Sequence, residues 1–240
     1  MPTLKERMDM LQSIFGERQE RYLSGDRRNI VFNDGMRYLN KLIRKNVTDR
    51  IIMAGVLASL FSRATTYCQS FSNIQLLEMM IKKFPKDRCA YCQKGPCECH
   101  NDRREKIKPI IGLPEQKLWG VNDWISNSRV VYGDKNRLNG IPYAYSRLSE
   151  ERDEAAEVFT IDVQDYEITT YEWKQMLAGE FADIFAWIFA LADLYNIDLD
   201  AAIWERYPGI CPRCKCRTCE CGPHYRYKRS TSDHRMSGIG

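Results

Sequence analysis

Apolar residues recur at helical spacing along most of the chain. Leu4, Met8, Leu11 and Phe15 form a stripe over residues 3–23, which Ser24-Gly25-Asp26 interrupts. Met36, Leu39 and Leu42 predict a second helix over 35–45, and the dense apolar run 51–61 (IIMAGVLASLF) a third. Residues 74–84 are amphipathic and stop at Pro85. Leu118, Trp119, Val121, Trp124 and Ile125 are the apolar anchors of a helical stretch over 117–131. Residues 132–142 (YGDKNRLNGIP) read as a loop, from their Gly, Asn, Asp and Pro. A Glu-rich run over 149–157 predicts another helix, whereas 161–170 is too β-branched to be assigned one. Residues 184–192 (IFAWIFALA) are apolar on every face, so their helix is expected to be buried, and 197–207 is amphipathic up to Pro208. The class that follows is all-α.

Part of this pattern occurs twice. The interval from Ile74 to Pro85 equals that from Ile197 to Pro208, and each proline leads into a C-x2-C-x4-C-x-C cluster. Cys89, Cys92, Cys97 and Cys99 make the first, Cys211, Cys214, Cys219 and Cys221 the second. Matched spacing at two places argues for an internal duplication, each copy a helical unit closed by its cysteines. The units span 1–100 and 115–221, with 101–114 a charged, then Pro/Gly-bearing linker and 222–240 a basic tail expected to be disordered. C-x2-C presents two sulfurs to one ion and C-x-C supplies two more, so each cluster is expected to bind a structural Zn²⁺. His100 or Cys216 could replace a ligand, and an iron–sulfur cluster is the alternative metal group. Cys68, in an apolar stretch, is expected to be a small core residue.

Charge narrows the partners. Thirty-six Lys and Arg against 32 Asp and Glu give +4 at pH 7, too balanced to imply nucleic acid, although Lys94, Arg213, Lys215 and Arg217 keep a zinc-knuckle reading open. No basic-then-apolar leader opens the chain and no apolar run approaches the roughly 18 residues of a membrane span, so a cytoplasmic protein without a membrane partner is expected. The ten cysteines are clustered rather than spread, which in a reducing compartment favours metal over disulfides.

Two acidic pairs carry the candidate chemistry. Glu151 and Glu154 are three residues apart, as are Glu180 and Asp183, so each pair shares a helix face. Two antiparallel helices could bring all four together, and converging carboxylates need cations between them. Oxygen-only ligands suit Mg²⁺ or Mn²⁺. The structural alternative is that Glu180 and Asp183, following Gly179, complement a helix N-terminus, and that the Glu-rich run is a solvated face.

The order Glu150-Glu151-x-x-Glu154, a spacer, then Glu180-x-x-Asp183 at the head of an apolar helix resembles the MazG-type all-α nucleoside triphosphate pyrophosphohydrolases, which include the dimeric dUTPases and dCTP pyrophosphatases. The resemblance covers about 115–210 and extends into Leu191–Leu199, which is similar to the family's final helical hairpin. It implies Mg²⁺-dependent cleavage of an NTP or dNTP to the monophosphate and pyrophosphate. Glu151, Glu154, Glu180 and Asp183 would ligate Mg²⁺, Glu150 would help orient the attacking water, and Trp187 would lie near the base or simply pack in the core. Family members dimerise, so a homo-oligomer is one expectation. The other is that the first copy is a built-in partner in a pseudo-dimer. Counting back from the shared proline sets Leu57 and Leu60 opposite Glu180 and Asp183. Matching Leu39 to Leu148 sets Lys41, Leu42 and Lys45 opposite Glu150, Glu151 and Glu154. The first copy thus lacks the motif's carboxylates, and Lys41 or Lys45 is expected to lend positive charge to a bound triphosphate. The competing reading is a non-catalytic nucleotide-binding or scaffold protein stabilised by zinc.

Overall fold

The computed structural model describes residues 1–22, 25–71, 74–99, 113–161 and 168–222. Among these there are seven α-helices, one short 3-10 turn and no strand, so the chain is all-α. The helices are α1 (Leu4–Tyr22), α2 (Gly25–Arg44), α3 (Arg50–Cys68), α4 (Leu76–Lys83), α5 (Val121–Thr160), α6 (Thr170–Leu194) and α7 (Leu199–Arg206), with the 3-10 turn at Pro114–Leu118. The linker from 101 to 112, the connection 162–167, His100 and the tail beyond 222 lie outside the described residues.

Local chemistry sets the helix starts. Asp49 accepts hydrogen bonds from the N–H groups of Ile51 and Ile52 at the head of α3. Thr169 and Glu172 form a reciprocal capping box at the head of α6. Asp198 accepts from the Ala201 N–H at the head of α7. Helices α4 and α7 each end on a residue of nearly the same extended geometry, Phe84 (φ −127°, ψ 66°) and Tyr207 (φ −134°, ψ 71°), ahead of their prolines.

The core is built around α3 and α6. Helix α3 packs against α1, α2, α6 and α7, while α6 packs against α3, α4 and α5. Between α3 and α6, Phe61 meets Phe185 edge-on (5.2 Å between centroids, 71°) and Tyr67 meets Phe181 likewise (5.2 Å, 78°). Burying each such ring is worth about 1.5–3 kcal/mol. Helix α3 is also, by length and apolar character, the one described helix long and apolar enough to cross a membrane, which the count of uninterrupted apolar residues overlooked. It is largely buried inside the bundle instead.

Several boundaries differ from the sequence expectation. Helix α2 begins at Gly25, ten residues before the predicted 35, and α3 continues past 61 to Cys68, because Phe32 and Ala64 to Cys68 are also buried. The predicted loop at 132–142 is helical. Only Gly140 (φ 77°, ψ 179°) departs, and there α5 kinks, with Pro142 starting its second half. The weak helix formers Gly133 and Asn136 are held by burial, and a cost of about 0.5–1 kcal/mol each is small beside that packing. Leu118, expected as an anchor, is 73% exposed on the 3-10 turn, whereas Val121, Trp124 and Ile125 are buried as expected. Cys68 is buried, and burial pushes its thiol far above the usual range.

Candidate functional site

Helices α5 and α6 run antiparallel: Trp173 donates to the carbonyl of Val158 (2.8 Å), Trp187 to Glu151 (3.3 Å), and Asp193 pairs with Arg129 (2.5 Å). That register sets one acidic face against the other. Oxygens of Glu151, Glu180 and Asp183 lie within 4.8 Å of one another. Glu151 is buried, and the other two are half-buried. Glu154, a turn beyond Glu151 and half-buried, lies outside that group of three, so three of the four expected carboxylates converge.

Two cations face this group, and neither was among the sequence candidates. The Lys83 ammonium, on the last residue of α4, donates to the Asp183 carboxylate and to the Gly179 carbonyl (3.2 Å). Arg147, one turn before the acidic pair on α5, donates to Glu150 and to Glu151 (3.4 Å). Arg147 was legible, since residues three and four apart on a helix are neighbours. Lys83 was not, because its partner is 100 positions away. The expected Lys41 and Lys45 are exposed, on α2 and just after it. Glu150 is occupied by Arg147. The Trp187 indole is spent partly on Glu151, and Tyr143 packs edge-on against its ring (6.1 Å, 78°). It therefore orients a carboxylate as well as filling space.

The electrostatics are those of a crowded acidic centre. Burial first, then the charges of Asp183 and Glu154, push the Glu151 carboxyl up to about 7 against the opposing pull of Arg147. Glu180 is also pushed up to about 7, by burial first and then by Asp183 and Glu154, with Lys83 opposing. Asp183 is raised too, mainly by burial, despite Lys83. For Lys83, burial lowers the pKa but is outweighed by the charge and hydrogen bond of Asp183, so the ammonium is held more firmly than usual. A divalent cation would relieve the repulsion among three oxygens at this spacing, so the donor set fits a hard metal ion such as Mg²⁺.

Each cysteine cluster brings four sulfurs within 4.8 Å of one another, so both could hold a metal ion. Their backbones correspond. The Cys89 N–H donates to the Lys94 carbonyl (2.8 Å), and the Cys211 N–H to that of Cys216 (2.8 Å). Gln93 (φ 65°) and Lys215 (φ 62°) take the same left-handed turn. Gly95 closes the first turn against the Asp87 carbonyl, which a Cβ would meet at 2.1 Å. Backbone N–H groups of Lys94 and Glu98 outweigh burial to bring the Cys92 thiol down to about 6, and those of Cys216 and Glu220 do the same for Cys214. Burial pushes the thiols of Cys97, Cys99, Cys219 and Cys221 up, so each cluster has one thiol favoured as thiolate, and a bound Zn²⁺ would displace protons from the others. Cys216 is outside the four-sulfur group and donates to the Cys214 carbonyl (3.4 Å).

The clusters also dock across the two halves of the chain. The Cys97 N–H donates to the Val131 carbonyl on α5 (2.8 Å), and the Cys219 N–H to the Ile14 carbonyl on α1 (2.7 Å). Lys135 of α5 reaches the Cys99 carbonyl, and Arg18 of α1 reaches that of Cys221 (3.0 Å).

No family model matches the chain, and no solved structure matches it. A stretch of 92 residues, 37% of the chain, is 29% identical to the phosphoglycerate kinase of Saccharolobus solfataricus. The match spans 22% of that protein's length, and it neither shows a family nor carries an activity to this chain.

Proposed function

We propose that the protein is a Mg²⁺-dependent nucleotide pyrophosphohydrolase that cleaves an NTP or dNTP to the monophosphate and pyrophosphate. The observation that carries this is the convergence of Glu151, Glu180 and Asp183 on facing helices, with Lys83 and Arg147 beside them. A carboxylate group alone would favour any metal site. Cations at its edge suit a polyanionic ligand bridged to that metal.

In this reading Glu151, Glu180 and Asp183 hold the metal, with Glu154 beside them and raising the Glu180 carboxyl. Bound Mg²⁺ would neutralise phosphate oxygens and acidify a water. The chain's own contribution is placement. Trp187 and Arg147 fix the Glu151 carboxylate, and Arg147 in turn ties up Glu150, which leaves Glu150 a supporting role in orienting water. The Lys83 ammonium, bonded to Asp183, stands at the edge of the metal ligands, where it would meet the phosphates of a bound triphosphate. The water oxygen bonds to the α-phosphorus, the α–β bridging P–O bond breaks, pyrophosphate leaves, and one proton passes to a basic carboxylate or to solvent.

The same reading treats the chain as a tandem pseudo-dimer. Its support is reciprocal: α4 packs on α6 as α7 packs on α3, and the two clusters dock on α5 and α1 through matching bonds. Leu42, Leu57 and Leu60, opposite the carboxylates in the sequence pairing, are all buried, so the first copy holds no second centre. Both clusters are assigned structural Zn²⁺.

One observation favours a non-catalytic reading, namely that Lys83 already neutralises Asp183 internally. Product analysis separates the two. Monophosphate and pyrophosphate from one or a few nucleotides with Mg²⁺, lost in Asp183→Ala, are expected. No turnover of any NTP or dNTP with Mg²⁺ or Mn²⁺ would refute the enzyme.

A further inference from the structure

Lys83 closes α4, and the five residues 84–88 lead from it straight into Cys89. Helix α4 ends at its C-cap Phe84, whose N–H donates back to the Met80 carbonyl. The carbonyls just past the helix are served from the other half of the chain. Asn127 donates to the carbonyls of Phe84 (3.4 Å) and Pro85 (3.3 Å) and accepts from the Asp87 N–H (2.8 Å). Gln116 also donates to the Phe84 carbonyl (3.0 Å). Both amides are buried, so their bonds are costly to lose. Beyond them the first cysteine cluster is tied to the same helix α5, by the Cys97 N–H to the Val131 carbonyl (2.8 Å) and by Lys135 to Cys97 Sγ (3.4 Å) and the Cys99 carbonyl. The segment from Lys83 to Cys99 is therefore a strap over α5, with Asn127 near one end and the four thiols as the buckle at the other.

The second cluster has the same four-sulfur chemistry but leads elsewhere. It follows α7, whose last residue, Arg206, lies over the Tyr207 ring and 3.5 Å from the Cβ position of Gly55 on α3. It is tied to α1 through Ile14 and Arg18. Of two chemically matched clusters, the first is the one whose strap begins at a residue bonded to the carboxylates, Lys83 to Asp183.

We propose that the first cluster is a metal-dependent positioning device for the carboxylate centre. With a thiophilic divalent ion, Zn²⁺, on Cys89, Cys92, Cys97 and Cys99, the strap is buckled to α5 and Lys83 is held across Asp183. Without the ion the cluster loses its shape, α4 loses its distal tie, and Lys83 leaves the carboxylates. The second cluster stabilises the fold without this effect. The consequence for phosphate chemistry rests on the pyrophosphohydrolase reading, whereas the linkage rests on geometry alone.

The test is lysine-resolved labelling of the full zinc-loaded chain with an amine acylating reagent, read by mass spectrometry. It compares wild type, Cys92→Ser and Cys214→Ser, with zinc content measured and amide exchange of α6 as a check on the fold. Lys83 in the wild type is expected to be protected. Cys92→Ser should raise its labelling about tenfold or more, since an amine clamped in a partly buried ion pair reacts only when the local structure opens. Cys214→Ser should leave it within about twofold of wild type, by the same local-opening argument. Unchanged Lys83 in Cys92→Ser, or an equal rise in Cys214→Ser, overturns the proposal. Should Cys92→Ser fail to fold, zinc is stripped from the folded wild type and from Cys214→Ser with a chelator, and zinc loss is measured in each. Lys83 should then become exposed, and protection retained after the first cluster has lost its ion overturns the proposal equally. Turnover of the wild type is measured separately. The expected labelling without turnover removes the enzyme reading and leaves the linkage, and turnover with uniform labelling does the reverse.

Discussion

Glu151→Gln should abolish function and yet stabilise the metal-free fold at alkaline pH. The Glu151 carboxyl is buried, and it titrates near 7 rather than at the usual 4.5. The sign follows from proton binding. Between those two values the folded protein holds a proton that the unfolded chain has released, so stability falls as pH rises through that window and stays reduced above it. Each pH decade of the window is worth about 1.4 kcal/mol, so the full cost is about 3 kcal/mol. Solvent reaching the cleft, and the weakened bond to Arg147 on substitution, cut the net gain to roughly 1–2 kcal/mol. Gln keeps the acceptor for the Trp187 indole, so packing is preserved. For a chain of this size that gain is a rise in Tm of roughly 2–8 °C. Thermal unfolding by circular dichroism in Mg²⁺-free buffer at pH 8, with zinc retained, should show the rise, and at pH 4.5 it should vanish. Added Mg²⁺ should raise the wild-type Tm at pH 8 and leave the variant unmoved. A variant less stable than wild type at pH 8 by as much as at pH 4.5, or one that still turns over nucleotide, refutes the crowded-carboxylate account.

Three further outcomes follow from the same geometry. Affinity for Mn²⁺, read by electron paramagnetic resonance, should weaken as pH falls below about 7, where Glu151 and Glu180 take up protons that the metal must displace; constant affinity down to pH 5 would contradict it. Lys83→Met leaves Asp183 without its cation and should cost about 2–4 kcal/mol at pH 8, with a smaller loss at pH 4.5, measured by urea denaturation; a pH-independent loss would indicate packing alone. Reconstitution with Co²⁺ should give two equivalents per chain with thiolate charge-transfer absorption, and a chain missing Cys92 should take up one; a single equivalent in the wild type would remove one cluster from the metal assignment.

The elements that sequence reading recovered best are those whose signal is local. The stripe Leu4, Met8, Leu11, the run before Pro85 and its counterpart before Pro208 each became a helix, because an apolar face and a proline stop act within a few residues. The three-residue spacing of Glu180 and Asp183 placed both on one face of α6, and its antiparallel pairing with α5 brought Glu151 to them. Legibility failed where tertiary packing overrode composition. Residues 132–139 carry Gly, Asn and Asp, yet Val131, Gly133 and Asn136 are buried and the helix continues to Gly140. Lys83 was hidden for a different reason. A lysine ending an amphipathic helix reads as a complement to the helix dipole, and nothing local says that α4 lies on α6. Lys41 and Lys45 were chosen from alignment, which relates sequence positions but does not say which helix of one copy touches which helix of the other.

On the proposed pairing of the two copies, the asymmetry has an energetic logic. Three carboxylates within 4.8 Å of one another, with Lys83 paired to only one of them, oppose folding, and burial first and then their mutual charge push two of them up to about 7. The corresponding Leu42, Leu57 and Leu60 are almost wholly buried, and each contributes about 1.5–3 kcal/mol. Two identical acidic centres in one chain would double the penalty over a shared core. One centre packed shut with leucine offsets the strain of the other, and the aromatic seam between α3 and α6 joins the apolar copy to the acidic one. The first copy still reaches the remaining centre through α4 and Lys83. On that pairing the first copy is a support and a source of charge, and Lys83, rather than a residue of the acidic motif, is what ties it to the carboxylates.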